Sequence, residues 1–227
     1  MQRLRCKLQR RGGGVKASHI NVKLASFNSE HGLRAVYYKR RALLRAGETD
    51  CGIPLPCVVK PCCGGSSIGV AIARTQEEYR AALSDAFRYE DEVLVEEYIA
   101  GRELSAGVLG GAALPLIEII PRGGFYDYAH KYQPGWTEEI TPARLDAETA
   151  ARIQALALRA CRALGLTAYA RVDFLLAPDG RPYCLEANTL PGMTPTSLLP
   201  QEAAAAGVDY PALCDRIVRL ALGEAQA

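Results

Sequence analysis

The chain has 227 residues, 49% of them hydrophobic and 23% charged, with a formal net charge of +2. That composition excludes a largely disordered chain, and the length allows one large domain or two small ones, able to bury roughly 70% of the unfolded surface without a disulfide or metal staple. No stretch approaches about 18 apolar residues free of charge, and the opening MQRLRCKLQRRGGG has no apolar h-region, so neither a membrane span nor a secretory signal is expected.

Charge is unevenly spread. Residues 1–48 hold twelve Lys and Arg against Glu30 and Glu48, and residues 49–227 carry −8 in compensation. A basic arm of this kind is compatible with nucleic-acid binding, with an organelle-targeting segment, or with a poorly specified N-terminal stretch. Net charge alone argues nothing for nucleic acid. The eight cysteines (Cys6, Cys51, Cys57, Cys62, Cys63, Cys161, Cys184 and Cys214) match no zinc spacing, and several lie in apolar periodic segments. They read as thiols in a reducing, cytoplasmic compartment.

In chain order, residues 1–10 have helical spacing, stopped by Arg11 and three glycines, and residues 15–30 show no clear period. Residues 31–46 read as a Lys/Arg-rich helix, and ETDCGIPLP as turn chemistry. PCVVKP is a short buried strand, and CCGGSSIGV a Gly/Ser turn re-entering a strand. Thr75, with Glu78 three residues on, forms a capping box for a helix to about residue 89. DEVLVEEYI is a strand, and RELSAGVLGG with ALPLIEIIP forms a hairpin about Gly110-Gly111. Residues 121–142 read as a long connection, a length usually kept for function. Asp146 begins an amphipathic helix that stops at Gly165. AYARVDFLLAPDGRPYCLEANT is a hairpin about Pro178-Asp179-Gly180, and helices at about 197–206 and 209–222 follow. The class is α+β with antiparallel hairpins, without the β-α-β alternation of a doubly wound sheet.

The 169–188 hairpin carries the most chemistry. Strand residues two apart share a face, so Arg171 and Asp173 point one way, as do Glu186 and Asn188. If the turn pairs these strands, all four can converge as a hard-oxygen set suited to Mg²⁺, with a fixed positive charge beside it. An ordinary Asp–Arg pair and a strand-end Asn fit the same spacing. Lys60 ends an apolar strand before GGSSIG, which is neither a Walker sequence nor GxGxxG; it suits phosphate binding or a plain hairpin turn. Glu96, Glu97, Tyr98 and Ile99 join two strands. Lys131 and Tyr132 lie in the long connection, in either a substrate lid or an aromatic surface loop. Gly192 sits in a turn before Ser197 at a helix start, where backbone N–H groups suit a carboxylate or oxyanion.

Taken in order, KPCCGGSSIGV, VLVEEYIAGREL, FYDYAHKY, ARVDFLL and LEANTLPGMTPTSL closely resemble D-alanine–D-alanine ligases of the ATP-grasp superfamily, over about residues 54–222. The resemblance implies an ATP-grasp fold of two α+β subdomains clamping the nucleotide. Residues 1–50 are then a divergent basic segment, 51–100 the central subdomain and 101–227 the C-terminal catalytic subdomain. It implies ATP-dependent joining of two D-alanines through an acyl phosphate, for peptidoglycan precursor and cell-wall synthesis in the cytoplasm.

By the same resemblance Lys60 and Lys131 hold ATP phosphates, and Glu96 with the Glu97, Tyr98 and Ile99 backbone holds adenine. Glu103 takes the ribose, and Phe125, Leu175 and Leu185 sandwich the base. Asp173, Glu186 and Asn188 bind two Mg²⁺ ions, for which Mn²⁺ can substitute. Arg171 and the Gly192 backbone stabilise the oxyanion, and Ser197 and Leu198 bind the second D-alanine's carboxylate. Ser66 and Tyr132 close the site, and the tyrosine favours a D-alanine acceptor over D-lactate; His130 beside it reads as an exposed loop residue.

The sequence also departs from the family. An N-terminal subdomain of roughly a hundred residues, which in the family supplies a Glu for the first D-alanine and much of a homodimer interface, is not seen before Met1. Gln2-Arg3 replace an Asp-Lys pair, residues 12–50 match poorly, and Cys62-Cys63 are unusual beside the phosphate loop. Membrane and nucleic-acid partners are not expected. Two alternatives accompany the ligase reading: an inactive or truncated ATP-binding remnant, and another ATP-grasp carboxylate–amine ligase.

Overall fold

The computed structural model describes residues 21–22, 40–62, 68–121 and 137–223. The Gly/Ser turn around Ser66 and the part of the long connection with Phe125, Lys131 and Tyr132, both expected to be chemical, lie outside the described residues.

Two antiparallel sheets organise the chain. The smaller contains β2 (Arg41–Arg45), β3 (Cys57–Pro61), β4 (Ala71–Ala73) and β5 (Glu92–Glu97) in the order β2-β5-β3-β4. Alternation sends Cys57, Val59, Val93 and Val95 to one face. There they meet Leu44, Ala73 and the buried side of α1 (Gln76–Ala86), namely Tyr79, Ala82, Leu83 and Ala86. Each fully buried side chain of Val or Leu size contributes about 1.5–3 kcal/mol, so this face holds α1 in place. The expected capping box forms: the Glu78 N–H donates to Thr75 Oγ1 at 3.1 Å, and the Thr75 N–H donates to Glu78 Oε2 at 3.3 Å. The helix ends at Phe87, slightly short of the expected stop.

Residues 41–45 correct the expected helix over 31–46. They form a strand because Leu44 alternates inward between the exposed Leu43 and Arg45, and because pairing with β5 satisfies that strand's open edge. Helical and two-fold spacing are hard to tell apart over five residues rich in Arg.

The larger sheet contains β1 (Asn21–Val22), β6 (Arg102–Leu109), β7 (Ala112–Ala113), β8 (Ile117–Pro121), β9 (Thr137–Ile140), β10 (Tyr169–Leu176) and β11 (Pro182–Asn188). Their order is β1-β11-β10-β6-β8-β9, with β7 pairing β6 through the expected turn at Gly110 and Gly111, both at positive φ. β9 corrects the reading of 121–142 as one long connection: its last residues pair with β8 from Thr137 onward. Helix α2 (Ala147–Ala163) starts at Asp146, whose carboxylate accepts the Thr149 N–H at 2.8 Å. Its Ile153, Leu156, Ala157, Ala160 and Cys161 pack on Leu104, Ala106, Val108, Ala170, Val172, Phe174, Cys184 and Ala187. Helices α3 (Leu198–Ala205) and α4 (Tyr210–Ala221) cover part of the opposite face, where Leu199, Ala203 and Leu213 meet Leu109 and Leu114, and Leu198 meets Ile117 and Ile119. Among the described residues all six cysteines are free thiols, as expected.

Candidate active site

The functional face of the larger sheet is set by pairing register. Asp173 lies opposite Glu186 on β11 and Ser105 on β6, Arg171 lies opposite Asn188 and Gly107, and Leu175 opposite Tyr183 and Glu103. Directly opposed residues share a face, so Glu103, Ser105, Gly107, Arg171, Asp173, Leu175, Glu186 and Asn188 all look away from α2.

A register shift makes this possible. From the turn, Leu176 pairs with Pro182 and Phe174 with Cys184; beyond the shift between Asp173 and Phe174, Asp173 pairs with Glu186. Leu185 is the extra residue. Had the first register continued, Asp173 would oppose Leu185, and Glu186 would fall among the side chains packed on α2. The β-bulge therefore turns Glu186 and Asn188 toward Arg171 and Asp173, as bulges beside active sites do. Nothing in the alternation of the sequence marks it.

Arg171 and Asp173 form a two-pronged ion pair, Nε to Oδ1 and Nη2 to Oδ2, both 2.9 Å. Asn188 Nδ2 donates to the same Asp173 Oδ2 at 2.9 Å, so the Asn188 amide oxygen remains as an acceptor. Burial works against the Arg171 charge, but Asp173, with Glu202 and Glu186, outweighs it and the guanidinium pKa is raised. Arg171 is thus a permanent cation in a low-dielectric wall. Among the described residues no three His, Cys, Asp or Glu side chains gather as a metal cluster. Asp173, Glu186 and Asn188 offer two carboxylates and an amide oxygen, the donor chemistry Mg²⁺ takes when phosphates complete its shell.

On the smaller sheet, Lys60 Nζ lies 2.7 Å from Glu96 Oε2. Lys60 opposes Leu94 and Glu96 opposes Val58, so both sit on the face away from α1. The Glu97 N–H donates to Arg40 O and the Tyr98 N–H to Pro56 O, while the Ile99 N–H has no partner among the described residues. Arg40 grips the Glu97 carboxylate at 3.1 and 3.2 Å, and this hydrogen-bonded pair holds the carboxylate pKa below its usual value. Two residues further on, Gly101 runs so close to β10 that a Cβ there would lie 2.6 Å from the Leu176 carbonyl oxygen.

The turn before α3 is built around Ser197. Its Oγ accepts the Thr194 N–H at 3.1 Å, and a Cβ on Gly192 would lie 2.9 Å from that Oγ. The Ser197 N–H donates to Thr194 O, and the Gln201 N–H donates to Ser197 O. Pro200 has no N–H, so the free donors at the start of α3 reduce to Leu198 and Leu199. The Leu198 side chain is buried against Ile117 and Ile119, and only its backbone can meet a ligand.

Three features escaped the sequence. Arg102 binds both Glu118 oxygens, at 2.6 and 2.7 Å, and the Arg144 carbonyl, tying β6 to β8 on the α2 side. Ser105 and Glu202 are both 0% exposed, and neither the Ser105 hydroxyl nor either Glu202 oxygen completes a hydrogen bond. Burial pushes the Glu202 pKa up to about 8; the Arg171 charge acts against that rise, and the Asp173 charge adds to it. The available signal was that Glu202 follows Leu198 by four residues and Leu199 by three, on the inward side of α3.

The chain is similar to known proteins over most of its length. The family profile described as D-ala D-ala ligase C-terminus matches residues 36–219. A D-alanine–D-alanine ligase from Syntrophotalea carbinolica is 44% identical over 212 residues, covering 91% of this chain and 68% of the relative. The solved structure of the Bacillus anthracis D-alanine–D-alanine ligase complexed with ATP matches with TM-score 0.71 and 34% identity, covering 83% of this chain and 61% of that one. The VanG D-Ala:D-Ser ligase of Enterococcus faecalis matches with TM-score 0.69 and 30% identity, covering 84% and 58% respectively. The chain thus spans about two thirds of the length of the first relative and less than two thirds of each of these solved structures. With its profile match, its antiparallel ATP-grasp architecture and its similarity to these enzymes, the chain belongs to the D-alanine–D-alanine ligase family.

Proposed function

We propose that this chain carries the nucleotide- and acyl-transfer half of an ATP-dependent D-alanine–D-alanine ligase, forming D-alanyl-D-alanine for peptidoglycan precursors in the cytoplasm. The reading rests on one observation: the bulged β10–β11 ribbon gathers Arg171, Asp173, Glu186 and Asn188 on one face of the sheet. No helix among the described residues is long and apolar enough to cross a membrane.

The proposed roles follow position along that face. Leu175 and Glu103, paired across β10 and β6, serve the base and ribose, with Leu185 and the Glu96–Ile99 connector completing the adenine seat. Lys60 leaves Glu96 for a phosphate. About 7 Å along β10 from Leu175, Asp173 with Glu186 and Asn188 would hold Mg²⁺, which when bound neutralises phosphate charge. A further 7 Å or so along, Arg171 faces the reacting carbonyl. The first D-alanine's carboxylate oxygen bonds to the γ-phosphorus as the bond to ADP breaks, giving an acyl phosphate. The amine of the second D-alanine then adds to the acyl carbon. Arg171 and the Gly192 backbone stabilise the tetrahedral oxyanion, phosphate leaves, and the amine gives up a proton to solvent. A fixed donor of this kind is typically worth about 10²–10³ in rate. The Leu198 N–H and the positive end of α3 hold the second carboxylate. Ser66, Phe125, Lys131 and Tyr132 complete the proposed set from outside the described residues.

Similarity to the D-Ala:D-Ser ligase favours one second reading, in which D-serine is the acceptor. ADP release with ATP, Mg²⁺ and D-alanine, alone and with D-serine, tests both, with the product identified by mass. D-alanine-dependent ADP that disappears in Glu186→Gln, with unchanged far-UV circular dichroism, is expected. No D-alanine-dependent ADP would leave an ATP-binding remnant. ADP release driven by an unrelated amino acid would point to another carboxylate–amine ligase.

A further inference from the structure

The mechanism leaves Glu202 and Ser105 unused, yet they form the most costly polar arrangement among the described residues. Three buried oxygens without partners, on two fully buried residues, oppose folding unless something else selects them. Their placement suggests what does. Gly107 is the residue directly opposite Arg171 across β6 and β10. A Cβ at 107 would lie 2.4 Å from Glu202 Oε2 and 2.7 Å from Leu199 Cδ1. The missing side chain at 107 therefore makes a notch, and the Glu202 carboxyl fills it from α3. Opposed residues have Cβ atoms roughly 5 Å apart, so the carboxyl occupies the volume that a neighbouring side chain would use to flank the Arg171 stem. Ser105 is the next residue on that face of β6, opposite Asp173.

We propose that Glu202, seated in the Gly107 notch beside Ser105, is a positioning residue that fixes the path of Arg171 toward the reacting carbonyl. Asp173 fixes the two ends of the guanidinium fork by hydrogen bonds, but the same carboxylate is also a metal-ligand candidate. A second polar wall keeps Arg171 in place while Asp173 serves the ion. The device works through shape and polarity rather than through a full negative charge, so an amide of the same length replaces it.

The inference rests on the ligase reading for its rate readout, and a second readout stands apart from it. In the full chain, Glu202→Leu fills the same space without polar atoms. It is expected to lower kcat for D-alanine-dependent ADP release at least tenfold, leave KM for ATP within twofold, and leave the thermal midpoint at or above wild type. Glu202→Gln is expected to keep kcat within threefold of wild type. A residue with a merely structural role would move the midpoint and kcat together. Independently of turnover, the Arg171 Nε–H is observed in [¹⁵N]arginine-labelled protein and identified by its absence from Arg171→Lys. Its solvent exchange should speed up at least fivefold in Glu202→Leu and remain slow in Glu202→Gln. Wild-type kcat in the leucine variant, equal losses in both variants, or equal exchange in all three proteins would overturn the proposal. A wild-type chain that makes no dipeptide but shows the exchange pattern would support the positioning role and sink the ligase reading alone.

Discussion

The two faces of the larger sheet come from the same strands and obey opposite rules. On the α2 side, alternate residues of β6, β10 and β11 are Leu104, Ala106, Val108, Ala170, Val172, Phe174, Cys184 and Ala187, an apolar layer closed by one amphipathic helix. On the other side, between apolar Leu109 at one end and Leu175 and Tyr183 at the other, the intervening positions are Glu103, Ser105, Gly107, Arg171, Asp173, Glu186 and Asn188. The first face makes the fold stable. The second keeps an ion pair and unpartnered carboxyl oxygens where apolar contacts would stabilise more, a sign that selection there acts on chemistry. The bulge at Leu185 keeps both patterns in register, because Cys184 and Ala187 face α2 while the intervening Glu186 does not.

Separating the faces by mutation gives effects of decreasing size. Phe174→Ala opens a cavity in a fully buried position. It should cost about 3–5 kcal/mol in urea unfolding while turnover per folded molecule stays near wild type; a matching loss of turnover would mean that the faces are not independent. Arg171→Lys keeps the charge but loses the two-pronged grip on Asp173. D-alanine-dependent ADP release should fall about 10²–10³-fold, measured alongside far-UV circular dichroism to show an intact fold.

A third comparison uses pH. Burial raises the Glu202 pKa from 4.5 to about 8, with the Arg171 charge acting against the rise and the Asp173 charge adding to it. Between those values the folded chain holds a proton that the unfolded chain releases, so this group's contribution to stability falls as pH rises and levels off above about 8. Urea midpoints across pH 5 to 9 should show wild type losing ground relative to Glu202→Gln over that window. Parallel curves would show that the carboxyl titrates normally. The smallest effect belongs to the other sheet: Thr75→Ala removes the α1 cap and should cost about 1 kcal/mol without altering kcat, as read from denaturation and steady-state rates.

Much of this is legible in the sequence. The hairpin about Gly110-Gly111, the Thr75 and Asp146 caps and the Pro178–Gly180 turn are local signals, carried by residues whose backbone preferences act over a few positions. Arg171, Asp173, Glu186 and Asn188 stood out because polar residues two apart in an otherwise apolar strand share a face. The exact convergence of that set was not legible, since it depends on the extra residue Leu185, and one-residue irregularities leave no periodic trace. Residues 41–45 have helical spacing yet form β2, because the strand's identity comes from pairing with β5, a partner some fifty residues away. Glu202 carries no local signal within an alanine-rich helix, and only the absence of a side chain at Gly107, on a distant strand, gives it a place.

Gly101 has a mechanical consequence. Where the chain leaves the smaller sheet for the larger, its backbone rests on the Leu176 carbonyl with no room for even a methyl group. That contact makes a stiff joint two residues beyond Ile99. A purine held against the Ile99 N–H would pull on the same short lever that ends at β10. A base seated there would therefore be coupled to the attitude of the strand bearing Arg171 through four residues of main chain, and a bulkier residue at 101 would loosen both together.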